Sequence, residues 1–190
     1  VLAEEKYGVG NVPDLSEEET AKLMAGETDY MVGLLIQALK DNDLYDNTVI
    51  VAYADHYLYT ILDKTVLDKY KNTENNLINH TPFFIWSSDV KPTDVNEVTM
   101  QMNILPTVLN LFGITYNPDN YIGKNALADD YEGFAFFSDY SWYDGNVYVE
   151  DGKVTNKGKI SKKKLAKMNA LVNETIRKND LTLKYDYFKK

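Results

Sequence analysis

The sequence predicts an α/β fold: a sheet flanked by helices, with a small antiparallel hairpin region towards the carboxyl end. Three observations carry this expectation. Residues 16–40 have the spacing of an amphipathic helix, residues 47–56 hold an almost uninterrupted apolar run, and residues 131–155 alternate aromatic with polar side chains around two Asp-Gly pairs.

The chain has 190 residues, 44% of them hydrophobic and 26% charged, enough for one sizeable core, so a single domain over 1–190 is expected. A net charge of −9 repels nucleic acid and anionic membrane surfaces at long range, and suits solubility or a cation site. No nucleic-acid partner is therefore expected. The absence of cysteine excludes disulfides, cysteine-ligated zinc and thiol nucleophiles. No apolar window has the roughly 18 residues a membrane span needs, and the opening "VLAEEKYGVG" lacks a signal-peptide pattern. The chain opens on Val1 rather than methionine, and so reads as a processed chain or a piece of something larger.

The elements follow in order. Ser16 with Glu19 three positions on is a capping-box pattern, and acids crowd the first turn that follows. Leu23, Met24, Tyr30, Met31, Leu34, Leu35, Ala38 and Leu39 then recur at helical spacing. "DNDLYDN" supplies turn residues before "TVIVAYA", whose continuous apolarity predicts a strand buried on both faces, as at the centre of a parallel sheet. Residues 61–79 are mixed and polar, with "KNTENN" marking a loop; "TPFFIW" is a second strand. Residues 98–112 have helical periodicity through Ile104, Leu105, Val108, Leu109 and Phe112, with Pro106 in the first turn and Gly113 as the stop. The two Asp-Gly pairs within 131–155 signal hairpins.

Residues 161–190 carry nine Lys or Arg against three Asp or Glu, a net of +6, whereas the first 160 carry 11 basic and 26 acidic residues, a net of −15. Leu165, Met168, Leu171, Val172 and Ile176 give this tail an apolar stripe, so a terminal helix over 161–179 docks on the body and keeps its basic face in water.

The chemistry gathers where the first strand ends. Asp55 and His56 stand at the carboxyl end of that strand, the place where α/β sheets collect ligands. A carboxylate oxygen and a neutral imidazole nitrogen together suit a borderline divalent cation such as zinc or manganese. Neighbours in sequence can share one metal only where the chain leaves its strand and side chains stop alternating between faces. The alternative is an Asp-His pair in a surface loop. Three or four protein ligands are usual, and Asp29, Asp63 and His80 are the further candidates, but none lies in a second strand-end motif. The remaining ligands are therefore expected outside the chain.

"LYDNTVIVAYADHY", "HTPFFIW" and "ILPTVLNLFGI", in this order, resemble the carboxyl-terminal half of the sulfatase-like branch of the alkaline phosphatase superfamily, above all the lipoteichoic acid synthase group of phosphoglycerol transferases. The likeness runs from about residue 16 to about 145, and the closing "NDLTLKYDYF" is similar to the way such chains end. It implies a mixed sheet flanked by helices, and metal ligation by Asp55 and His56. Manganese is the usual metal of the synthases, with zinc, magnesium and calcium as alternatives. The missing amino-terminal half of the same catalytic domain would supply a glutamate ligand and the threonine nucleophile, so this chain would be inactive alone. The implied substrate is a phosphoglycerol lipid or related ester, and the implied parent is anchored at the extracellular face of a bacterial membrane, with no membrane segment in this chain.

The family pattern has glycine where this sequence has Ala54 and Leu58, and serine where it has Thr60. Thr60 is either a substrate contact or a surface threonine. His80 either contacts substrate or caps the second strand through its backbone. The rival functions are a sulfatase or phosphoester hydrolase, and a noncatalytic module whose "SDYSWYDG" aromatics bind a glycan or a partner.

Overall fold

A computed structural model describes residues 5, 6, 8 and 14–189. The chain divides into two compact units, Val1–Pro92 and Thr93–Lys190.

In the first unit the predicted capping box closes. Ser16 Oγ accepts from the Glu19 N–H at 3.2 Å, and the Glu19 carboxylate accepts from the Ser16 N–H at 2.9 Å. Helix α1 then runs Glu17–Asp41. Strand β1, Val49–Tyr53, pairs antiparallel with β2, Phe83–Ser87, in a register from Val49 opposite Ser87 to Tyr53 opposite Phe83. The expectation of a strand buried on both faces of a parallel sheet is thereby corrected. The two form a two-stranded ribbon, β1 is half-buried, and Tyr53 is 58% exposed. The apolar run specifies a strand; the direction of its neighbour is set by the connection, which here folds the chain back through residues 54–82.

That connection holds structure that its polarity concealed. Helix α2, Lys64–Asp68, is started by Asp63, whose Oδ1 accepts from the Thr65 N–H at 2.9 Å and from Thr65 Oγ1 at 2.7 Å, and it buries Val66 and Leu67. A 3-10 turn at Asn75–Asn79 leads into β2. Helix α1 holds α2 through charge: the Glu18 carboxylate accepts from Lys69 Nζ and Tyr70 Oη, each at 2.6 Å, and Glu17 accepts from the Asp63 N–H at 2.8 Å.

In the second unit, helix α3 spans Ile104–Leu111, with Pro106 in its first turn and Gly113 beyond its end at φ +63°, the left-handed stop that glycine adopts without a Cβ penalty. It starts later than the periodicity from residue 98 implied. The Val98 carbonyl accepts from the Phe134 N–H at 2.9 Å, and Gln101–Asn103 form a 3-10 turn. Strands β3, Ala135–Phe136, β4, Trp142–Tyr143, β5, Tyr148–Glu150, and β6, Lys153–Val154, make an antiparallel meander. The β5–β6 turn is Asp151-Gly152 with φ of +49° and +73°, the mirror-image turn that an Asp-Gly pair favours.

Helix α4, Lys162–Lys184, extends five residues past its expected end. Its Met168 and Val172 join Trp142, Val147 and Val149 in the core of this unit, with Leu165 and Ile176 packed at the edge. Leu171, counted in the expected stripe, is 46% exposed. Helices with small antiparallel sheets make the whole a mixed α/β chain, and no helix among the described residues is long and apolar enough to cross a membrane.

Candidate metal centre

The last ladder contact beyond β1 is the Ala54 N–H donating to the Pro82 carbonyl at 3.2 Å. After it the chain bends, and side-chain alternation ends. Asp55 and His56 occupy the bend, so the local condition for two sequence neighbours to face one ion is met. The Asp55 carboxylate folds back on its own loop, with Oδ1 accepting from the His56 N–H at 2.9 Å.

The imidazole is held in one orientation. His56 Nδ1 lies 2.7 Å from the Tyr57 carbonyl oxygen, and its ring packs on that of Tyr59 at 4.4 Å between centroids. A carbonyl only accepts, so Nδ1 donates, and in the neutral ring Nε2 keeps the lone pair. Nε2 stands 3.4 Å from Asp55 Oδ2. Two lone-pair atoms at this separation repel unless a proton or a cation lies between them. Metal bonds of about 2.0–2.2 Å put neighbouring donors at a tetrahedral centre about 3.3–3.6 Å apart, so the pair spans two corners of such a site.

With a proton instead, the pair is a surface ion pair, with Asp55 81% and His56 48% exposed, and such pairs add little to stability. The fold does not depend on this contact, and both side chains reach solvent. No group of three or more His, Asp or Glu that could hold a metal exists among the described residues.

The other candidates fall elsewhere. Asp63 serves as the α2 cap, and its hydrogen bonds from Thr65 hold its carboxyl below the usual carboxylate range. Asp29 lies within α1. His80 is at the same end of the ribbon as Asp55, two residues before Pro82. Its backbone is engaged, the N–H donating to the Leu77 carbonyl at 3.0 Å and the carbonyl accepting from Lys71 Nζ at 3.0 Å. Thr60 is exposed in the turn that the Ile61 N–H closes on the Leu58 carbonyl at 3.2 Å, and Leu58 is 49% exposed.

Three groups of the loop and its support were not visible in the sequence. The Tyr57 carbonyl is a backbone atom, whose role no residue type announces. The Tyr59 ring was one of 15 tyrosines. Lys71 opens the polar "KNTENN" stretch, yet its ammonium sits 5.5 Å from the centre of the Tyr57 ring, and burial pushes its pKa down. The aromatic hairpin, by contrast, offers little to a glycan through its tryptophan: Trp142 is fully buried and its Nε1 donates to Asn169 Oδ1 at 2.8 Å.

Residues 23–114 match the family model described as Sulfatase. This stretch contains Asp55, His56, Thr60 and His80. Lipoteichoic acid synthases of Staphylococcus aureus strains USA300, NCTC 8325 / PS 47 and COL are each 29% identical to the chain over 127 residues. The match covers 60% of this chain and 19% of each relative, so the aligned region is about one fifth of the length of these curated enzymes. Residues 23–114 are thus similar to the sulfatase family, and a 127-residue stretch of the chain is similar to lipoteichoic acid synthases.

Proposed function

We propose that the chain contributes Asp55 and His56 as half of a divalent-metal site in an enzyme that transfers phosphoglycerol units, the remaining ligands and the nucleophile being supplied by residues upstream in the parent protein. The observation that carries this reading is the 3.4 Å separation of His56 Nε2 and Asp55 Oδ2 with Nδ1 committed to the Tyr57 carbonyl. It is supported by the family match across both residues and by relatives named as lipoteichoic acid synthases. Manganese fits the donor set, as do zinc, magnesium and calcium with more oxygen ligands. When bound, the ion supplies charge that lowers the pKa of a hydroxyl nucleophile and neutralises the oxygens of the ester.

The part played by this chain is to present two fixed donors. Asp55 brings negative charge that offsets the cation, and the Tyr57 carbonyl keeps the imidazole in the tautomer whose Nε2 can bind. Alone, the chain lacks the nucleophile and is inactive. The parent is read as an enzyme working at the extracellular face of a bacterial membrane, where a phosphoglycerol lipid is its donor.

The test is a thermal melt of this chain together with the upstream residues of its parent, with and without Mn2+. A hundredfold excess over Kd, about 2.7 kcal/mol, is expected to raise Tm by a few degrees, and Asp55→Asn to abolish the rise. An unchanged Tm, or a rise that Asp55→Asn leaves intact, overturns the reading. The family description Sulfatase favours one second reading, hydrolysis of a sulfate or phosphate ester on the same metal logic. A threonine nucleophile upstream points to phosphoglycerol transfer, and a cysteine in a sulfatase motif to ester cleavage.

A further inference from the structure

We infer that Lys71 is a positioning residue for His56, acting through Tyr57. The loop that carries the candidate ligands leaves the ribbon after the Ala54–Pro82 contact, and what holds it beyond that point decides how the imidazole is aimed. Lys71 bridges the two chain segments at this end. Its Nζ donates to the His80 carbonyl at 3.0 Å, on the segment entering β2, and stands 5.5 Å from the centre of the Tyr57 ring, on the segment leaving β1. Tyr57 in turn presents its carbonyl to His56 Nδ1 at 2.7 Å and to the Tyr59 N–H at 2.8 Å, and the Tyr59 ring lies against the imidazole. One cation thus fixes the residue whose carbonyl selects the His56 tautomer.

Lys71 is itself anchored. Its N–H donates to the Leu67 carbonyl at 3.0 Å as the chain leaves α2, and α2 is held against α1 by Glu17 and Glu18. Partial burial of the ammonium strengthens both of its contacts relative to water. A metal-binding histidine needs its second nitrogen held by an acceptor, and loss of such support typically costs 10–100-fold in metal affinity. This consequence rests on the metal reading above; the control of the tautomer does not.

The two are separable by experiment on the full chain. Long-range 1H–15N correlation spectra at about pH 8, where an ordinary imidazole is neutral, report the tautomer of each histidine. The unaltered chain and Lys71→Arg, which restores a cation, are expected to hold His56 as the Nδ1–H form. Lys71→Met, which keeps the stem and removes the charge, is expected to give a mixture of both forms. Should Lys71→Met fail to fold, Tyr57→Leu, which removes the ring and keeps the carbonyl, is expected to give the same mixture. A single Nδ1–H form in the folded variant overturns the inference, as does a mixture in the unaltered chain. Addition of Mn2+ tests the metal reading separately. Selective broadening of the Asp55 and His56 signals supports it, with about tenfold weaker binding in Lys71→Met. A His56 tautomer that depends on Lys71, with no broadening in the presence of the upstream residues, upholds the positioning role and removes the metal.

Discussion

Asn169→Leu probes the polar clip between helix α4 and the meander with little change of side-chain volume. The native amide does two things: its Oδ1 accepts from Trp142 Nε1 at 2.8 Å, and its Nδ2 donates to the Gly152 carbonyl at 3.0 Å. Trp142 is 0% exposed, so the substitution leaves an indole N–H buried without its acceptor, at a cost of about 1–3 kcal/mol. The Gly152 contact lies nearer solvent, and its loss adds about 0.5–1.5 kcal/mol. The expected destabilisation is therefore about 2–4 kcal/mol, read from urea unfolding followed by far-ultraviolet circular dichroism. Trp142→Phe removes the donor, so in the double variant the buried N–H penalty vanishes and the effects fall short of additive by about 1 kcal/mol or more. A loss below about 0.5 kcal/mol for Asn169→Leu, or a double variant that is strictly additive, would refute the reasoning.

Further outcomes follow from the same structure. A Cβ at Gly123 would lie 1.8 Å from the Met102 carbonyl oxygen, a backbone atom that cannot step aside, so Gly123→Ala is expected to cost about 3 kcal/mol or more in urea unfolding; a near-neutral result contradicts that close approach. Ser16→Ala removes the cap on α1 and is expected to cost about 1 kcal/mol, measured in the same way. Glu18 is held at a pKa of about 2, against 4.5, by hydrogen bonds from Lys22 first and then Lys69 and Tyr70. Its folded pKa lies below its unfolded one, so the stabilisation is present above the unfolded value and is lost as pH falls from about 4.5 towards 2. Melts across that window should therefore show a pH slope that Glu18→Gln flattens; an unchanged slope would mean that the carboxylate is not held as the geometry indicates.

Much of the fold is local in origin and was legible for that reason. Ser16 and Glu19 announce a capping box that closes within four residues. Gly113 and the Asp151-Gly152 pair sit where φ must be positive, a property of the single residue. The Met168 and Val172 stripe needs only helical spacing. Asp55 and His56 were visible because a carboxylate and an imidazole directly follow an apolar strand. Less legible were the features set by residues distant in sequence. Asp63 looked like a metal candidate and turned out to cap a helix hidden in polar sequence, because capping and ligation use the same carboxylate chemistry. Lys71 drew no notice, since only the return of the chain at His80 gives its ammonium an acceptor.

The sequence by itself therefore determined the long first helix and its cap, the two apolar strands, the glycine stop after α3 and the Asp-Gly hairpin turn, and it singled out Asp55 and His56 as the candidate pair, because each of these depends on neighbours within a few residues. Tertiary structure decided the rest. It ran β2 antiparallel to β1, placed Lys71 between His80 and Tyr57, and buried Trp142 against Asn169. It also turned His56 so that its free nitrogen faces Asp55. Those outcomes depend on loop closure and on which polar groups find partners once the chain folds back, and contacts across 9 to 38 residues leave no periodic trace in the sequence.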